Sequence, residues 1–83
     1  MRTTTIYTTP TCGYCKMAKE FFKEHNVVYT EKDVAVDQAA AEEMIEKSGQ
    51  MGVPVTIVSE DGKEEFIVGF DKSRLSSALG VSA

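Results

Sequence analysis

The 83-residue sequence predicts a single α/β domain over residues 1–83, with a four-stranded mixed sheet and helices on both faces. Two observations support this fold class. Strand-like runs alternate with helical apolar spacing in the order β-α-β-α-β-β-α, and the last two strand-like runs form a hairpin. The first three elements therefore make a βαβ unit, whose crossover is right-handed in nearly all proteins. A chain of this length buries roughly 60–70% of its unfolded surface, which is enough for a core without metals or disulfide staples.

The first strand is predicted over residues 3–8, with Ile6 and Tyr7 as its large side chains. Pro10 disfavours helical backbone at the residue before it, so the strand ends there in a turn. The first helix is predicted from Gly13 to His25, because apolar residues recur in this segment at helical spacing. These apolar residues are Tyr14, Met17, Ala18, Phe21 and Phe22.

The second strand is predicted over Val27–Thr30, a β-branched and aromatic run. Asp37 is predicted to cap a helix that continues through Ser48, with Gly49 just past its end. One face of this helix is apolar and consists of Ala40, Ala41, Met44 and Ile45. The charged residues between them are interpreted as a solvated face, and these are Glu42, Glu43, Glu46 and Lys47.

The last three elements are predicted to be a hairpin and a helix. Strands are expected over Val55–Val58 and Glu65–Val68, because the Asp61-Gly62 dipeptide between them is a strong hairpin signal. Asp71 is predicted to cap the final helix, whose apolar face consists of Leu75, Ala78 and Leu79. The core or its edge is expected to contain Met17, Phe21, Phe22, Met44, Ile45, Leu75 and Leu79.

The composition argues against several classes of partner. No apolar run approaches the ~20 residues that a membrane span needs. The net charge of −4 argues against nucleic acid or an anionic membrane as the main partner, since both attract basic surfaces. The N-terminus leads directly into a strand-like pattern, so we expect no signal peptide and a cytoplasmic location.

The segment Cys12-Gly13-Tyr14-Cys15 contains the only two cysteines and lies where a strand ends and a helix begins. A disulfide within it closes a very small loop and contributes under about 2 kcal/mol, so it is a weak structural staple. In a reducing cytosol such a bond is transient and catalytic. The pair is therefore interpreted as a reversible dithiol–disulfide couple.

The position of each cysteine predicts its role. Cys12 lies at the helix start, where unpaired N–H groups and the helix dipole stabilise an anion, and Lys16 adds a nearby cation. We therefore expect a lowered pKa for Cys12, which would be the attacking sulfur. Cys15 lies on the same helix face nearer the core, where it would resolve a mixed disulfide on Cys12. Gly13 gives room for close approach, and Tyr14 is expected to flank a bound thiol.

A zinc site is the main alternative use of two cysteines at this spacing. A closed zinc site needs four ligands, and beyond the cysteines the sequence offers His25, about two helical turns past Cys15. His25 is too far along the helix to complete such a site easily. We therefore expect no bound metal.

The whole pattern resembles the glutaredoxins, which are members of the thioredoxin fold. The resemblance runs from Thr5 to about Leu79. It is carried by the element order and the Cys-x-x-Cys that opens the first helix, by Val53-Pro54 before the third strand, and by Gly69-Phe70-Asp71 before the last helix. It implies a thioredoxin fold and a dithiol oxidoreductase that acts on protein disulfides or glutathione mixed disulfides.

The resemblance also implies binding residues. In the family the proline of Val53-Pro54 is cis and faces the thiols, and the residue before it pairs its main chain with glutathione or a substrate peptide. The segment Gly69-Phe70-Asp71 would hold the γ-glutamyl end of glutathione, with Asp71 accepting its ammonium. From the residues alone, Val53-Pro54 fits a cis peptide, and the alternative is a trans proline that starts a strand. A glycine turn before a helix cap is at least as open an interpretation of Gly69-Phe70-Asp71 as a binding role.

Three positions depart from the family pattern and keep alternatives open. Thr9 and Pro10 stand where many glutaredoxins have lysine, Gly52 stands where threonine is common, and Val68 replaces a glycine. An alternative is a glutaredoxin-like electron donor recharged by thioredoxin reductase, for example for ribonucleotide reductase. A further alternative is a glutathione-dependent [2Fe–2S] carrier. We expect a monomer without a tightly bound cofactor, with glutathione as co-substrate and disulfide-containing proteins as substrates.

Overall fold

The computed structural model describes residues 2–49 and 52–81 and has the predicted element order. The elements are β1 (Arg2–Thr8), α1 (Gly13–Glu24), β2 (Thr30–Asp33), α2 (Gln38–Ser48), β3 (Val55–Glu60), β4 (Lys63–Val68) and α3 (Lys72–Leu79). The strand order in the sheet is β2-β1-β3-β4. β1 and β2 are parallel, whereas β3 is antiparallel to both β1 and β4. The predicted mixed sheet of four strands is therefore confirmed.

The predicted position of the second strand is wrong. Pairing with β1 begins at Thr30, opposite Thr5, so β2 starts where the predicted strand ends. Before it, Asn26 has a left-handed φ of 55°, and the N–H of Val27 donates to the carbonyl of Phe22 at 2.8 Å. Val27 and Tyr29 pack against the core from this connection. Their apolar character therefore reflects burial rather than strand pairing.

The hairpin between β3 and β4 is longer than predicted. Asp61 and Gly62 have φ values of 52° and 81°, so both turn residues are left-handed. Two left-handed residues make a type I′ turn, whose twist matches that of the flanking strands. Pairing therefore continues to the turn itself, where Glu60 lies opposite Lys63.

The core has two parts, one on each face of the sheet. On one face, Ile6, Val58 and Ile67 pack against α1 and α3, with Ala18, Phe21, Phe22, Leu75 and Leu79. On the other face, Tyr7, Val55 and Ile57 pack against α2 through Ala40 and Met44. Helices on both faces of the sheet are thus confirmed.

Two residues predicted to lie in or at the edge of the core are exposed. Met17 and Ile45 have exposed fractions of 46% and 41%. Each side chain lies at the edge of the apolar stripe of its helix. That stripe is wider than the part of the helix surface that packs against the sheet. Because Met17 belongs to α1, its exposure places an apolar side chain on the surface of the helix that contains the cysteines.

All three helices begin at the same end of the sheet. Val55 lies opposite both Tyr7 and Val68, so the segments that precede β3 and follow β1 and β4 are neighbours. Thr8 lies opposite Asp33, which brings the connection to α2 to the same end. We call this end of the sheet the loop end. Among the described residues, no helix is both long and apolar enough to cross a membrane.

Candidate active site

Cys12 is the N-cap residue of α1. Its backbone is extended, with φ −86° and ψ 111°, and its Sγ accepts a hydrogen bond from the N–H of Cys15 at 3.0 Å. The cap position is the one at which unpaired N–H groups and the helix dipole favour a negative charge. A sulfur at this point is thus in the environment that stabilises a thiolate, as the sequence position predicts.

Cys15 lies in the first turn of α1 and is buried, with 1% of its surface exposed. It is bonded to Cys12 through a disulfide, and the two Cα atoms are 5.2 Å apart. This separation is within the ordinary range for a disulfide, so the bond fits the helix start without moving the backbone. Cys12 is half-buried, so it is the more exposed of the two cysteines.

Tyr14 and Lys16 are both exposed on the same helix. The tyrosine has an exposed fraction of 64%, so its ring is available to flank a bound group. Lys16 is exposed one turn after Cys12, and its backbone N–H donates to the Cys12 carbonyl at 3.4 Å. The roles of both side chains toward Cys12 stay predictions.

The Val53-Pro54 peptide bond is cis, so the alternative of a trans proline is wrong. Pro54 is buried, and its carbonyl accepts a hydrogen bond from the N–H of Gly69 at 2.8 Å. This bond joins two of the segments that the resemblance assigns to substrate binding. Both segments lie at the loop end, where the turn before Cys12 also lies. The structure therefore gathers there the segments that the sequence singles out.

The segment from Gly69 to Asp71 has a structural role of its own. Gly69 has a φ of 79°, which favours glycine. The Phe70 ring contacts that of Phe21 edge-on, with centroids 6.4 Å apart. Asp71 caps α3, its carboxylate accepting from the N–H of Arg74 at 3.1 Å. The turn-and-cap interpretation of these residues is confirmed, and their binding of glutathione stays a prediction.

A partly buried hydrogen-bond group is not predicted by the sequence. Glu43, predicted to belong to a solvated helix face, is half-buried and accepts a hydrogen bond from the hydroxyl of buried Tyr7. Lys32 also donates to this carboxylate, at 2.9 Å. Burial, together with the bond to Glu43, raises the pKa of Tyr7, while the bonds from Tyr7 and Lys32 lower the pKa of Glu43. A tyrosine predicted inside a strand was the available signal, because a buried hydroxyl needs a partner.

A second group links the cysteine-bearing helix to the sheet. Thr8, the last residue of β1, donates its hydroxyl to Glu31 at 2.7 Å. Lys19 on α1 donates to the same carboxylate oxygen at 2.9 Å. The hydrogen bonds from Lys19 and Thr8 lower the pKa of Glu31. The group therefore holds α1 against the edge of the sheet formed by β2.

Within residues 2–49 and 52–81, no cluster of three or more His, Cys, Asp or Glu side chains is arranged to hold a metal ion. The His25 ring contacts that of Phe21 at a tilt of 52°, with a centroid distance of 4.5 Å, at the far end of α1 from Cys12. The arrangement at the loop end supports thiol chemistry instead. It combines a half-buried cysteine at a helix start with a buried cysteine in the first turn of that helix.

Comparisons with known proteins agree with this chemistry. The family model described as Glutaredoxin matches residues 4–63. An uncharacterized glutaredoxin-like 8.6 kDa protein in the rubredoxin operon of Clostridium pasteurianum is 42% identical over 74 residues, which cover 89% of this chain and 93% of that protein. A crystal structure of the thioredoxin-like protein BC3987, mutant T8A, is similar with a TM-score of 0.86 and 32% identity, and the match covers 99% of this chain and 100% of that one.

The fold is also part of a longer regulator. The global transcriptional regulator Spx 1 of Oceanobacillus iheyensis is 30% identical over 63 residues, or 76% of this chain. The match covers 42% of the length of that regulator. Similarity to Spx 1 therefore extends to one part of that protein.

Proposed function

Because this chain belongs to the glutaredoxin family, we propose that it is a dithiol oxidoreductase that reduces protein disulfides and mixed disulfides with glutathione. One observation carries the proposal. The half-buried residue Cys12 caps α1 through its sulfur, which is bonded to that of the buried Cys15. A pair with one accessible sulfur and one protected sulfur is what sequential thiol–disulfide exchange requires.

The reduced protein would act in two exchange steps. In the first step, the Cys12 thiolate attacks one sulfur of the substrate disulfide, and the other substrate sulfur leaves as a thiolate. In the second step, Cys15 loses its proton and attacks the Cys12 sulfur, which releases the second substrate thiolate. The protein dithiol is thereby oxidised to a disulfide, and the substrate disulfide is reduced to two thiols.

The oxidised pair must then receive two electrons. We propose glutathione as the donor, with two glutathione molecules oxidised to one glutathione disulfide. Family membership supports this choice, as does the gathering of Pro54 and Gly69 at the loop end.

The second candidate donor is thioredoxin reductase. Val68 is exposed directly beside Gly69 and adds bulk where the resemblance expects a glycine and close approach of glutathione. The fold itself supports either donor.

The test measures NADPH consumption on a low-molecular-weight disulfide with each recharging system separately. One mixture contains glutathione and its reductase, the other thioredoxin reductase alone, and the Cys12→Ser variant gives the background. Turnover with glutathione is the expected result. Turnover only with thioredoxin reductase contradicts glutathione as the donor, and absence of turnover with both contradicts the oxidoreductase.

A further inference from the structure

A groove of about 160 Å³ lies on the surface between α1 and the start of α3. It is lined by Met17, Glu20, Phe21, Glu24, Phe70 and Lys72. The edge-on pair of Phe21 and Phe70 contributes apolar surface to it, and the exposed Met17 side chain lies nearest the cysteines along the helix. An engineered apolar cavity of about 150 Å³ holds benzene, so the groove has room for one apolar side chain.

The rim of the groove carries a negative charge. Glu20 and Glu24 lie one helical turn apart on α1, and both are exposed. Neither carboxylate forms an ion pair or a hydrogen bond with another side chain in the part of the chain that the structure describes. Lys72 is the cation that lines the groove from the α3 side, so two carboxylates face one ammonium group. The lysines of α1 (Lys16, Lys19 and Lys23) are not among the lining residues, so a basic side chain inside the groove would find favourable charge.

The distance from Cys12 to each part of the groove follows from the helix rise of about 1.5 Å per residue. Met17 lies about 8 Å along α1 from Cys12, Glu20 about 12 Å and Glu24 about 18 Å. An extended polypeptide advances about 3.3 Å per residue. A substrate segment running from Cys12 along α1 therefore reaches Met17 after about two residues and the glutamates after about four to five.

We propose that this groove binds the polypeptide segment next to the reactive cysteine of a protein substrate, and that it selects an apolar residue followed by a basic one. The apolar side chain packs on Met17, about two residues from the cysteine, at the end of the groove that Phe21 and Phe70 continue. A lysine or arginine about four residues from the cysteine pairs with Glu20 and Glu24. This inference rests on the proposed oxidoreductase function, because it names the substrate class of that site.

The test uses peptides with one cysteine, joined through a mixed disulfide to 5-thio-2-nitrobenzoate. Cys12 of the reduced protein attacks the peptide sulfur, and the chromophore leaves as a coloured thiolate. Cys15 then loses its proton and attacks Cys12, which releases the peptide as a thiol. The first peptide has leucine two residues and lysine four residues from the cysteine on both sides, so either chain direction is sampled. The second peptide has glutamate in place of lysine.

The expected result is a second-order rate about five-fold higher for the lysine peptide than for the glutamate peptide, as pairs of exposed charges allow. This preference should shrink at about 1 M salt, where charges are screened beyond about 3 Å. Moving the lysines next to the cysteine should also reduce this preference, because the lysines then do not reach Glu20 or Glu24. Replacing the leucines by glycine should slow release about three-fold through lost apolar contact.

Two double variants separate the groove from the overall charge of −4. E20Q/E24Q should remove the preference. E42Q/E46Q removes two charges at the same spacing from the exposed face of α2. This variant should keep the preference for the lysine peptide. Equal rates for both peptides, or equal loss in the two double variants, would overturn the inference. Failure of the protein to release chromophore from any peptide would contradict the proposed function instead.

Discussion

The first turns of α1 and α2 have the same cap geometry and different cap atoms. The Cys12 sulfur accepts from the N–H three residues on at 3.0 Å, and the Asp37 carboxylate accepts from the equivalent N–H of Ala40 at 3.0 Å. Both cap residues have extended backbone, and both helices begin at the loop end. α3 repeats the aspartate arrangement with Asp71. Two helix starts of the three are thus capped by carboxylates and one by sulfur.

The comparison shows how one local structure serves either stability or chemistry. A carboxylate at the cap is ionised at neutral pH, so its interaction with the helix start stabilises the fold at all times. A sulfur receives the same stabilisation only as a thiolate, so the helix start favours the anionic form of Cys12. In the proposed mechanism, this preference supplies the attacking group.

The largest expected effect comes from C12S. Serine is also a good N-cap, so this variant removes the attacking sulfur and keeps the cap. We expect at least about a 10³-fold loss of disulfide reduction, because the nucleophile is absent. The measurement is NADPH-coupled turnover, with thermal unfolding as the control for the fold. A variant that retained substantial activity would show that Cys12 is not the nucleophile.

The C15S variant separates the two sulfurs. Cys12 keeps its cap position and can still be attacked, but a mixed disulfide on it has no internal resolving thiol. We expect loss of protein-disulfide reduction, retention of a one-thiol reaction with glutathione mixed disulfides, and a trapped adduct visible by mass spectrometry. Loss of both reactions to the extent seen for C12S would contradict the division of roles.

The next effect is on the pKa of Cys12 in the reduced protein. In the C15S variant, where Cys12 is the only thiol, we expect this pKa to lie below the free-cysteine value near 8.5. Thiolate ultraviolet absorbance as a function of pH measures it. Lys16 is exposed and its charge is screened by solvent, so it should lower the pKa of Cys12 less than the helix start does. K16Q should therefore raise the pKa of Cys12 by the smaller of these two amounts. A pKa of Cys12 at or above 8.5 would mean that the helix start does not stabilise the Cys12 thiolate.

Removing the aspartate cap of α2 should change stability and leave the chemistry intact. D37A is expected to lower the free energy of unfolding by about 1 kcal/mol, the usual cost of losing a cap. For a domain of this size that corresponds to roughly 4–8 °C in the unfolding temperature. D71A should cost a similar amount and, if Asp71 binds glutathione, should also raise the KM for glutathione. A matching KM change in D37A would contradict that specific role for Asp71.

The smallest expected effect concerns Glu43, half-way along α2. Its pKa is lowered by the hydrogen bonds from Tyr7 and Lys32, so its contribution to stability is present above the ordinary carboxylate pKa of 4.5. That contribution is lost as the pH falls through the lowered pKa of the folded protein. The difference in unfolding free energy between the wild type and E43Q should therefore shrink on acidification. Urea unfolding across a pH series measures it, and a difference independent of pH would rule out ionic pairing as its origin.

Local interactions were predictable from the sequence. The caps Asp37 and Asp71 bond to N–H groups three residues away, and the type I′ turn is formed by two adjacent residues, Asp61 and Gly62. The placement of Cys12 at a helix start followed from the same kind of short-range pattern. The sequence signal for each of these features lies within a few residues, so the order of residues specifies them directly.

Long-range partners were not predictable in the same way. The predicted start of β2 is wrong, because the residues of β2 are determined by their pairing with β1. In that pairing Thr5 lies opposite Thr30. The sequence predicts that Glu43 is solvated, because its hydrogen-bond partner Tyr7 is 36 residues away in the sequence. The groove rimmed by Glu20 exists only because α3 packs beside α1.

The sequence by itself therefore determined the element order, the helix caps, the hairpin turn and the sulfur pair at the head of α1. The tertiary structure alone decided which strand residues pair, which carboxylate is held by a buried hydroxyl, and which apolar side chains stay exposed beside the cysteines. The physical reason is the range of the interactions. Caps and turns join neighbours along the chain, whereas sheet register and side-chain burial depend on which distant segments pack together.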